Sequence, residues 1–135
     1  MFRKPEYKVL LNRIREPSRR IQVVSGPRQV GKTTMVQQVL DTLESESKAI
    51  IYASADLPAP GGSAWIEERW HAARILAEEN GAVLALDEVQ KISNWSETVK
   101  SLWDEENARK NPLSVVLLGS SALLMKEGLT ESLAG

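Results

Sequence analysis

The chain has 135 residues, 42% of them apolar, no cysteine and a formal net charge of -1. That length holds one domain with a sizeable core and not comfortably two, while the lack of cysteine excludes disulfides and thiolate zinc sites and makes a reducing, cytoplasmic setting the simplest expectation. No run of about 18 apolar residues occurs, and the opening Met1-Phe2-Arg3-Lys4-Pro5-Glu6 lacks a signal-peptide core, so no membrane is expected.

The charge is unevenly spread. Residues 1–32 carry nine Lys or Arg against two Glu, and the rest of the chain sixteen acidic against eight basic residues. A basic end attracts an acidic ligand, nucleic acid or a partner chain. No aromatic residues interleave with these charges in stacking positions. A solvated basic helix over residues 1–18 that leads into the core is therefore the favoured reading, and nucleic acid the less favoured one. Within it, Lys8 to Arg15 has Val9, Leu10, Leu11 and Ile14 at helical spacing and predicts a short helix stopped before Pro17.

Strand-like and helix-like patterns then alternate, as expected of a parallel sheet covered by helices on both faces. Arg20 to Ser25 predicts strand one. A helix from near Lys32 carries Val36, Val39, Leu40 and Leu43 on one face, and Lys48 to Ser54 predicts strand two. After the loop-forming Leu57-Pro58-Ala59-Pro60-Gly61-Gly62, Ser63 is expected to cap a helix with Ile66, Trp70, Ala73 and Ala77 on one face, closed by Asn80-Gly81. His71 on that helix is expected to be exposed or locally satisfied rather than catalytic. Ala82 to Leu86 is a continuous apolar run suited to a strand buried on both faces. Asn94 and Glu97 have capping-box spacing ahead of a helix whose Trp95, Val99, Leu102 and Trp103 belong in the core. Leu113 to Leu118 predicts strand four, closed by Gly119-Ser120-Ser121, and no fifth strand follows.

Chemistry is concentrated at three strand ends. Gly26-Pro27-Arg28-Gln29-Val30-Gly31-Lys32-Thr33 fits G-x-x-x-x-G-K-[ST] between a strand and a helix, the context this motif requires, and Thr34 extends it. The glycines let successive amides point at phosphate oxygens, and the helix N-terminus adds partial positive charge. Lys32 can reach the β and γ phosphates and Thr33 can coordinate Mg²⁺. Val83-Leu84-Ala85-Leu86-Asp87-Glu88 ends strand three in two acids: Asp87 suits Mg²⁺, and Glu88 suits a general base that polarises water. Two adjacent carboxylates at a buried strand end repel one another, so the pair asks for a cation. Ser120 or Ser121, at the end of strand four, would face the γ-phosphate as a polar sensor, with Ser120 the preferred candidate, or else merely cap a following helix.

The stretches GPRQVGKTT, LALDEVQKISNW, LLGSSALL and ESLAG, in this order, resemble the AAA-type P-loop ATPase domain of a large prokaryotic family whose members usually carry a C-terminal domain of unknown function. The resemblance covers nearly the whole chain. It implies a three-layer α/β/α P-loop NTPase fold with a parallel sheet of order 5-1-4-3-2, ATP and Mg²⁺ as ligands, residues 26–34 as the nucleotide loop, Asp87 and Glu88 as the second motif, and Ser120 or Ser121 as the sensor. Gln90 belongs to the family's DEVQK signature without an assigned mechanism. Family members are longer, and ESLAG is normally followed by an Arg and a further strand. The expectation is a C-terminally truncated domain over residues 1–135 that lacks strand five, the helical lid and the effector domain. It would hydrolyse ATP slowly, and its open strand-one edge allows self-association. A non-catalytic ATP switch and a small-molecule P-loop kinase are the alternatives. A GTPase is excluded by the absence of N-K-x-D and D-x-x-G sequences.

Overall fold

A computed structural model describes residues 5–15, 21–25, 32–56, 62–109 and 113–119. In chain order these form α1 (Pro5–Arg15), β1 (Ile21–Ser25), α2 (Lys32–Ser45), β2 (Ala49–Ser54), α3 (Ser63–Asn80), β3 (Ala82–Asp87), a 3-10 turn (Val89–Lys91), α4 (Trp95–Arg109) and β4 (Leu113–Gly119). The four strands form one parallel sheet in the order β1-β4-β3-β2. This is the order that the family resemblance implies for strands one to four.

The path of the chain accounts for the layers. From β1 it crosses the whole sheet to β2, then returns strand by strand through β3 to β4. Parallel crossovers share one hand, so the outward helix and the returning helices must lie on opposite faces. On one face α1 and α2 bury Tyr7, Leu10, Leu11, Ile14, Val36, Val39, Leu40 and Leu43 against Val83, Ala85, Val116 and Leu118. On the other, α3 and α4 bury Ile66, Trp70, Val99 and Trp103 against Ile21, Leu84, Leu86, Leu113, Val115 and Leu117. Each central strand thus feeds alternate side chains to two cores, which is why β3 reads as an unbroken apolar run. Every fully buried Leu or Ile contributes about 1.5–3 kcal/mol.

Local details depart from expectation at three places. Helix α1 begins at Pro5 rather than Lys8. Proline costs nothing at a first helical position, where the amide has no partner, and the extra turn is anchored by buried Tyr7, whose hydroxyl lies 2.6 Å from Thr42 Oγ1 on α2. At α3, Ser63 is the first helical residue and extended Gly62 is the cap, with no side-chain hydrogen bond. Asn94 is left-handed (φ 58) and works through its carbonyl, which accepts the Thr98 amide at 3.1 Å and the Thr98 hydroxyl at 3.0 Å, instead of forming the box with Glu97. Trp70, Trp95 and Trp103 are buried, as expected, as is Trp65, and His71 is exposed. Among the described residues no helix is long and apolar enough to cross a membrane.

Candidate functional site

All four strands run the same way, so their carboxyl ends share one edge of the sheet, and there the candidate residues are arranged. Strand β1 stops at Ser25, and α2 starts at Lys32. Lys32, Thr33 and Thr34 form the opening turn of α2, and Thr34 is exposed. Gly26, Pro27, Arg28, Gln29, Val30 and Gly31 lie outside the described residues, as do Ser120 and Ser121. Gly119, which immediately precedes Ser120, ends β4, and β4 runs between β1 and β3.

Asp87 is the last residue of β3 and is 6% exposed. Period-two alternation puts it on the same face as Val83 and Ala85, which pack with Met35 and Val36 of α2. Its register partner on β4 is Leu118, whose own partner on β1 is Val24. The buried carboxylate and the N-terminal turn of α2 therefore occupy one face and one end of the sheet, with a single strand between their parent strands. The helix leaving β1 and the helix leaving β3 go to opposite faces of the sheet; in parallel sheets ligands bind beyond the carboxyl ends of the strands at such a reversal.

Side-chain and backbone donors hold the adjacent acids. The Tyr52 phenol on β2 donates to Asp87 Oδ2, and the Asp87 carbonyl accepts the Ala55 amide at 2.9 Å. Burial, then this hydrogen bond, then the charges of Asp87 and Glu88 push the Tyr52 phenol well above its usual range, so the proton stays on the tyrosine. Glu88 is half-buried and left-handed (φ 56, ψ 36), the residue from which the 3-10 turn springs. Gln90 Nε2 donates to its Oε1 at 2.8 Å. The two adjacent carboxylates are thus served by different side-chain partners. Lys91 Nζ in the same turn pairs with Asp56 just beyond β2.

Among the described residues no three His, Cys, Asp or Glu gather into a metal cage. A single buried carboxylate suits a hard ion that takes the rest of its shell from a hydroxyl, water and phosphate oxygens, the habit of Mg²⁺. The donor set fits. Tyr52 is not legible as a site residue in the sequence, because it reaches Asp87 from the neighbouring strand, with no local pattern to betray it. Gln90 stands out in its signature, and the bond to Glu88 supplies the contact.

The sequence model of a family described as "AAA domain" matches residues 18–135. No curated protein matches the chain. Among solved structures, a RuvB T158V of Thermotoga maritima is similar to it with a TM-score of 0.57 and 18% identity over 95% of this chain and 41% of its own. A DNA replication initiation factor is similar with a TM-score of 0.55 and 18% identity over 85% of this chain and 36% of its own. The chain thus spans less than half the length of either, and at such identity the likeness is one of fold.

Proposed function

The chain belongs to the AAA domain family of P-loop ATPases, and on that premise we propose that it binds ATP with Mg²⁺ and hydrolyses it at the carboxyl ends of β1, β4 and β3. The observation that carries this reading is the placement of buried Asp87 on the face and at the end of the sheet where α2 begins with Lys32 and Thr33.

In the proposed mechanism the amides of residues 26–34 cradle the phosphates, helped by the positive end of α2. Lys32 neutralises charge on the β and γ phosphates. Asp87 and the Thr33 hydroxyl would hold Mg²⁺, and a bound Mg²⁺ would supply positive charge to the phosphate oxygens. Glu88, on the turn just past Asp87, orients the attacking water and takes its proton. Ser120, following β4 between the two motifs, donates to the γ-phosphate.

The domain is further read as the ATPase part of a longer protein, coupled to an effector domain, with slow turnover by the 135-residue chain alone. A turnover of about 1 per second, within the ordinary enzyme range, would overturn the slow part. In the described sheet β1 is an edge strand, and an open edge there allows association with a second copy. Calorimetric titration with a slowly hydrolysed ATP analogue and Mg²⁺ tests the site. Binding by the native chain and none by Lys32→Ala supports it; equal binding by both, or by neither, overturns it for this chain.

A further inference from the structure

The two ends of the candidate metal ligand are tied to the same neighbouring strand. Backbone and side chain of Asp87 each have a partner on or just after β2: the carbonyl accepts the Ala55 amide at 2.9 Å, and Oδ2 accepts the Tyr52 phenol. Ser54 is the register partner of Asp87, so Tyr52 stands two residues back on the same face and reaches forward diagonally. A diagonal separation of about 7–8 Å between strands is one that an aromatic side chain spans. The tyrosine ring packs against the cluster formed by α1, α2 and the sheet, which holds the donor still.

An aspartate has a broad, poorly defined terminal torsion. At the end of a strand, with the chain turning away through left-handed Glu88, a fixed donor on one oxygen restricts that torsion. Resting on the ATP and Mg²⁺ reading above, we propose that Tyr52 is a positioning residue for the metal: its phenol holds Asp87 Oδ2 and thereby sets the plane in which the carboxylate meets Mg²⁺. The bond lies one shell out from the ion, where a lost partner typically weakens metal binding without touching the ligand itself.

The test is the affinity of the 135-residue chain for a slowly hydrolysed ATP analogue, measured over a Mg²⁺ series and again in chelator, for the native chain, Tyr52→Phe and Asp87→Asn. The expected result for Tyr52→Phe is a Mg²⁺ midpoint raised about tenfold, with affinity in chelator unchanged. A midpoint within about twofold of native, or a parallel loss with and without metal, would leave Tyr52 a packing residue only and overturn the proposal. Tyr52→Leu, which also lacks the donor, replaces Tyr52→Phe if that variant does not fold. Asp87→Asn separates the two levels of argument. If it abolishes the Mg²⁺ response while Tyr52→Phe leaves it intact, only the role of Tyr52 fails. If the Mg²⁺ response survives in Asp87→Asn, the metal site itself is misassigned and both readings fail.

Discussion

Glu88 is held in the left-handed region at φ 56 and ψ 36, and Gln90, two residues on, donates from Nε2 to its Oε1 at 2.8 Å. A side chain other than glycine or asparagine pays about 1–2 kcal/mol for that backbone conformation, and such outliers gather at functional sites. The turn re-aims Glu88 away from the strand that carries Asp87, and the Gln90 amide steadies it there.

Replacing Glu88 by Gln therefore keeps the shape and removes the base. Phosphate release is expected to fall by about 10²–10⁴, with affinity for a slowly hydrolysed ATP analogue kept. A variant that hydrolyses at the native rate removes Glu88 from the mechanism.

Between α3 and α4 lies a buried ionic cluster. Glu106 is fully buried, takes the Trp70 indole N–H at 2.7 Å and the Arg74 Nε, and Arg74 also reaches Glu105 at 2.9 Å. Truncating Arg74 to Ala leaves a charge inside the core and is expected to cost about 3 kcal/mol or more, whereas Arg74→Met with Glu106→Leu removes both charges and is expected to recover most of it. Urea unfolding of the single and double variants checks this, and equal losses would show that packing, not charge, is what matters there.

Tyr52 also sets an alkaline limit. Its phenol is pushed above the ordinary value of 10.0 in the fold, so as pH rises past about 10 the unfolded chain sheds this proton first and the folded state loses stability. Tyr52→Phe is expected to flatten the fall of the urea midpoint between about pH 9 and about pH 11 relative to native. Parallel slopes in the two proteins contradict the raised value.

Gly81 joins α3 to β3 with φ 86 and ψ 161, a region open essentially to glycine alone. Its amide closes the helix on Ala77 at 3.2 Å while its carbonyl receives the Ala49 amide of β2 at 3.1 Å. Gly81→Ala is expected to cost about 1–3 kcal/mol in thermal or urea unfolding and to leave nucleotide affinity unchanged, since the residue sits at the opposite end of β3 from Asp87.

What the sequence determined by itself was periodicity and local chemistry. The 3.6-residue spacing of Val36, Val39, Leu40 and Leu43 and the unbroken run Ala82 to Leu86 are written within a few residues, so these elements were legible in the sequence, and GPRQVGKTT proposes a phosphate loop by the same local reading. The strand order came from resemblance, since pairing joins residues such as Asp87 and Leu118 that lie far apart in the chain. Caps were less legible: glycine and asparagine satisfy helix ends through backbone geometry as readily as serine does through a side chain, and Gly62 and Asn94 took that route. Only the tertiary structure decided that Asp87 shares a face with the start of α2, that Tyr52 reaches it from the next strand, and that Gln90 folds back on Glu88. These are contacts between strands or across a turn, selected by register, twist and packing of the whole sheet, and no local stretch of sequence encodes them.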